Sequence, residues 1–229
     1  MKKFYYLIFI LSVIISNHCF GQIVVNYADA DKKIIIGKSI YALEDRNSNM
    51  TLEKVINLQS TFIRTNQEVP NFQISNSTFW IRIKIKNSSK DPYLLLDIEY
   101  PPLQNVTFFA PTQKGFIETK SGTSIPFRSR RIQSQNHLFA LNLAIGSSAT
   151  YYLKLSSNSL ILVPIFIGSV TSIASSDISR SLINGLYFGI IIVMIFYNLF
   201  LYFSTKDRNY FFYVIYIFLV GLVQASLNE

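Results

Sequence analysis

Apolar and polar residues alternate strictly from Phe79 to Lys86. Phe79, Ile81, Ile83 and Ile85 share one face, and Trp80, Arg82, Lys84 and Lys86 share the other. A period of two predicts a half-buried strand. Asn87-Ser88-Ser89-Lys90-Asp91-Pro92 follows as a turn. Further short apolar segments recur at Tyr93–Tyr100, Val106–Ala110, Phe116–Thr119, His137–Leu143, Thr150–Leu155 and Ile161–Ile167, each bounded by Pro, Gly, Asn or Ser. Many short strands at this spacing predict a mainly β fold, an antiparallel jelly roll or β-sandwich over residues 22–178. One exception is helical: Thr51 to Leu58, with Thr51 placed to cap it and Lys54 where a capping box would carry Glu.

Three longer apolar runs have a different meaning. Phe4 to Ser16 follows the basic Met1-Lys2-Lys3, and Cys19 and Gly21 place small residues before a cut at Gln22. This is the layout of a secretory signal peptide over residues 1–21, and the run is too short to cross a bilayer. Ser181 to Thr205 carries no charge, and neither does Asn209 to Asn228; Lys206-Asp207-Arg208 lies between them. At 1.5 Å per residue the dense part of the first run spans about 33 Å and the second about 30 Å. The pattern predicts membrane helices over 181–204 and 209–228, joined by a tight loop at 205–208. Export of residues 22–180 places that loop inside, where Lys206 and Arg208 satisfy the positive-inside rule. Asn198 falls in the middle of a membrane helix and is expected to face another helix; Gly185 and Gly189 have the spacing that permits close helix approach.

Composition adds exclusions. Only 15% of the 229 residues are charged, against about a quarter in ordinary globular domains, and the shortfall sits in the membrane runs. Removal of residues 1–21 takes away the single Cys and one of the two His, leaving His137. A Cys nucleophile, a thiolate zinc site and a poly-His metal site are thereby excluded, and no metal or cofactor is expected. Residues 22–178 carry 16 Lys plus Arg against 11 acids, a net +5. That mild basicity suits a membrane surface or an acidic ligand. Nucleic acid is not an expected partner, for want of a recognition motif.

Four stretches carry a family resemblance. Gly37 to Asp45 with Met50 to Val55 forms the first, and Phe79-Trp80-Ile81-Arg82 through Asn87 the second. Tyr100-Pro101-Pro102-Leu103 with Ile125-Pro126-Phe127 and His137-Leu138-Phe139 forms the third. Gly185 to Gly189, Tyr197 to Leu201 and Lys206 to Tyr210 form the fourth. In this order the chain resembles the bacterial seven-transmembrane receptors with diverse intracellular signalling modules, in the version with the second type of extracellular sensor domain. The resemblance implies a periplasmic jelly-roll domain similar to carbohydrate-binding modules, an inner-membrane location and seven helices. It also implies an output module such as a histidine kinase, a cyclase or a phosphatase. This sequence ends after the second helix, so it reads as a receptor's N-terminal portion or as a tethered binding or assembly module without output. Self-association through the membrane helices is a further expectation.

The candidate ligand residues follow. Trp80 shares the polar face of its strand with Arg82, so it could stack on a sugar while Arg82 donates hydrogen bonds; the alternative is burial of Trp80 under a second sheet, with Arg82 snorkelling or paired with an acid. Arg128, Arg130 and Arg131 cluster in one loop and could grip a carboxylate or phosphate, or simply be solvated. Tyr100 and His137 join them from the third stretch. Asp97 and Glu99, about 7 Å apart on one strand face, could suit a glycosidase pair or one Ca²⁺. A solvated acidic face is the stronger expectation, and no catalytic residue is assigned.

Overall fold

The computed structural model describes residues 23–227. The expected signal peptide lies outside the described residues. The strands are β1 (Val24–Tyr27), β2 (Ile34–Ile35), β3 (Tyr41–Asp45), β4 (Ile63–Arg64), β5 (Asn71–Ile74), β6 (Thr78–Asn87) and β7 (Leu94–Ile98). They continue with β8 (Asn105–Thr112), β9 (Gly115–Ser121), β10 (His137–Ala140), β11 (Ser148–Ser156), β12 (Leu160–Leu162) and β13 (Ile165–Ser169). The helices are α1 (Leu52–Asn57), α2 (Val170–Thr205) and α3 (Arg208–Leu227).

Two sheets stack into a sandwich. The first has seven strands in the order β4-β3-β6-β11-β8-β9, with β1 also on β6; the second runs β10-β7-β13-β2. Pairing is antiparallel apart from β1, which lies parallel to the second half of β6 while β3 takes the first half. The alternation along β6 is realised: Ile81, Ile83 and Ile85 are fully buried and pack with Leu153 and Leu155 of β11 against Leu96, Ile98, Ile165 and Ile167 of the second sheet. These aliphatic faces supply the main hydrophobic drive for folding.

The expected strand Ile161–Ile167 is two strands. The ladder breaks at Val163-Pro164, because Pro has no N–H to donate. β12 pairs with β5 in a separate two-stranded sheet, and β13 joins the second sheet. Helix α1 starts where expected, but the Thr51 side chain makes no capping bond.

The first membrane helix begins at Val170, well before the apolar run at 181. Ser169 explains the early start: its side chain accepts from the Ser172 backbone N–H, while its own N–H donates to the Tyr27 hydroxyl. At Gly168 the turn from strand to helix is so close that a Cβ would meet Ser172 Oγ at 2.6 Å. The chain therefore passes from β13 into α2 without a linker. Both α2 and α3 are long and apolar enough to cross a membrane, and little of either is buried. Asn198 is buried and donates to the Met194 carbonyl one turn back, at 2.8 Å. Gly185 and Gly189 face no neighbour among the described residues; the glycine nearest the partner helix is Gly221, beside Ile191.

Candidate ligand groove and membrane junction

The polar face of β6 is covered over its first half. Trp80 is 1% exposed and Arg82 6%. Their cover is not a second sheet but the segment of α1 and the turn after it: Val55, Phe62, Trp80, Phe109 and Tyr152 form a second apolar cluster, with Met50, Leu52 and Ile56 against it. Arg82 lies between the rings of Tyr41 (5.1 Å) and Phe62 (4.7 Å) and donates to the Gln59 carbonyl, which holds the turn after α1 on the sheet. It is a packing residue in this arrangement.

Trp80 stands at the edge of that cover. A groove of about 750 Å³ opens beside it. Met50, Leu52 and Ile56 line one side, Gly115 and Phe116 the other, and Trp80, Phe109, Thr107 and Lys154 the floor. Trp80 and Phe109 stack at 5.6 Å, and the Lys154 ammonium rests 5.3 Å from the indole centre. The register explains this floor. Leu43, Trp80, Lys154, Thr107 and Lys120 are successive cross-strand partners on β3, β6, β11, β8 and β9, so they form one row across the sheet. Phe109, Phe116 and Lys154 were not singled out from sequence, although the alternation Tyr152, Lys154, Ser156 along β11 carries the signal.

The other candidates do not converge on this groove. Arg130 donates to the Ser134 and Gly122 carbonyls and ties its own loop together, whereas Arg128 and Arg131 are exposed. Tyr100 is half-buried against the sandwich core. His137 is fully buried between the sheets, and its Nδ1 is 2.9 Å from Ser121 Oγ, a bond joining β10 to β9. Burial, then the charge of Arg130, pushes the His137 pKa down to about 4.

Asp97 and Glu99 are not a solvated acidic face. Asp97 is fully buried on the back of the second sheet, and Lys33 bonds both carboxylates. Arg180 of α2 reaches back to Glu99 at 2.6 Å. Asn136 donates weakly to Asp97 at 3.4 Å, and Asp97 Oδ1 has no partner among the described residues. Burial raises the Asp97 pKa despite Lys33. Burial also pushes Glu99 upward, but the bonds from Lys33 and Arg180 outweigh it and hold Glu99 below its ordinary value. The network joins the sheet to the first turns of α2 above the apolar run.

Comparison with known families agrees with this architecture. The family model described as 7TMR-DISM extracellular 2 matches residues 37–169, and the model described as 7TM diverse intracellular signalling matches residues 180–229. No curated protein matches the chain.

Proposed function

Because the chain belongs to the seven-transmembrane receptors with diverse intracellular signalling, carrying their second extracellular domain and the start of their membrane region, we propose that the groove over Trp80 is the ligand site of this sensor. The ligand class is a carbohydrate or a derivative, and the setting is a bacterial inner membrane. The observation that carries the reading is the groove itself. It combines Phe109 and Phe116, whose ring faces suit the C–H faces of a sugar, with the hydroxyl and amide groups of Thr107, Ser156 and Asn105. The cover helix α1 forms one wall, so occupancy would bear directly on its position. From the sandwich, the signal passes through the Lys33–Asp97–Glu99–Arg180 network into α2, which leaves β13 without a flexible joint.

Trp80 is the sole tryptophan, so its fluorescence reports on the groove alone. The full chain in an uncharged polyoxyethylene detergent is titrated with a panel of mono- and oligosaccharides. At least one member is expected to give a saturable emission change that Phe116→Ala weakens about tenfold or more. No response across the panel, or a response indifferent to Phe116, contradicts the assignment.

A further inference from the structure

The donors on the groove floor lack acceptors. Lys154 is half-buried, and among the described residues no carboxylate lies within ion-pairing distance of its ammonium, which rests on the Trp80 ring. The adjacent indole N–H is buried and has no acceptor among the described residues either. The other charges of the groove are accounted for differently. Lys120 is paired with Glu118 at 3.1 Å, and Glu53 is exposed on the rim. The uncompensated charge on the floor is therefore a single cation. Lys154 and Thr107 are cross-strand partners in the row, and both line the groove, so an ammonium and a hydroxyl stand on neighbouring strands of the same floor.

We propose that the groove selects an acidic ligand, one carboxylate or sulfate ester of which docks between Lys154 and Thr107 while its apolar face lies on Phe109 and Phe116. This deepens the reading of the groove as a carbohydrate site and rests on it. An ammonium resting on a ring is held more weakly than one hydrogen-bonded to an anion, so an incoming carboxylate can draw Lys154 off the indole. Neutral sugars would occupy the same walls but leave the floor cation unpaired, which is the source of discrimination.

The test uses the full chain in the same uncharged detergent, read by Trp80 emission. Oligogalacturonate is compared with the same oligomer methyl-esterified, and acetate with chloride at equal ionic strength. The acid is expected to bind about tenfold more tightly than the ester. Lys154→Met is expected to erase that difference by weakening the acid, and Lys154→Arg to retain it. Acetate is expected to shift the emission when Lys154 is present and not in Lys154→Met. An unchanged melting temperature shows that the variant is folded; Lys154→Gln is used if Met is not tolerated. Equal binding of acid and ester overturns the inference and leaves the carbohydrate site standing. A Lys154-dependent acetate response with neither oligomer bound supports the anion site and removes the carbohydrate reading. Silence from every probe overturns both.

Discussion

Lys33→Met is expected to destabilise the sandwich by about 3–5 kcal/mol, the cost of leaving a buried charge without its partner. The Lys33 side chain is 9% exposed and Asp97 is fully buried, and one ammonium serves both Asp97 and Glu99. Without it, Asp97 retains only a long bond from Asn136. Asp97 already titrates above its ordinary value because of burial, and loss of Lys33 raises it further. A carboxyl whose folded pKa exceeds its unfolded value costs stability at neutral pH, and that cost is relieved as pH falls through the folded value. The deficit of Lys33→Met is therefore expected to shrink on acidification. Lys33→Met with Asp97→Leu is expected to recover most of the loss, because apolar groups can replace a buried pair. Arg180→Ala, whose side chain is half exposed, is expected to cost about 1 kcal/mol or less. Denaturant unfolding followed through Trp80 measures all three. A Lys33→Met deficit no larger than that of Arg180→Ala contradicts the arrangement.

Acidification of the wild-type chain has a second consequence, through His137. Its folded pKa of about 4 lies below its ordinary value of 6.5, so the fold prefers the neutral ring. Stability is expected to fall as pH drops below 6.5 and to level off below about 4, with a total loss of about 3 kcal/mol. Glu99 has the same sign in a lower window. Its folded pKa is lowered, so its contribution is present above the unfolded value and is lost as pH falls through the folded one. Asp97 has the opposite sign. His137→Gln is expected to remove the loss between pH 6.5 and 4 while retaining a partner for Ser121. A wild-type stability that stays flat across that window contradicts a buried neutral ring. His137 is thus a hydrogen-bonded group buried between the sheets.

The parts of the fold legible from sequence are those set by local pattern. The alternation along β6 gave its buried face, and two uncharged runs gave the membrane hairpin. The parts that stayed hidden depend on contacts between distant segments. Trp80 and Arg82 share a face with Lys84 and Lys86, and nothing local says that the first pair is covered and the second is not. The cover comes from α1 and Phe62, separated from β6 by the excursion through β5. Asp97 and Glu99 alternate like a surface pair, yet their partners are Lys33 and Arg180, 64 to 81 residues away in sequence. Strands β1 to β5 carry weak alternation because they are short or at edges, and they went unread. Ser169 as a helix cap was masked by the strand that precedes it. The groove was half visible: Trp80 was singled out, but its neighbours Lys154 and Phe109 come from strands whose register the sequence does not state.

On the proposed function, occupancy of the groove over Trp80 passes to the membrane helix through the charged junction. Hydrogen exchange on the full chain, with and without the saccharide that most alters Trp80 emission, tests it most directly. Added protection is expected in Met50–Ile56, which walls the groove, and a change of exchange in residues 170–180, which leave the sheet as helix. Lys33→Met is expected to keep the first and lose the second. Protection confined to the groove, or found instead at Arg128–Arg131, contradicts the account.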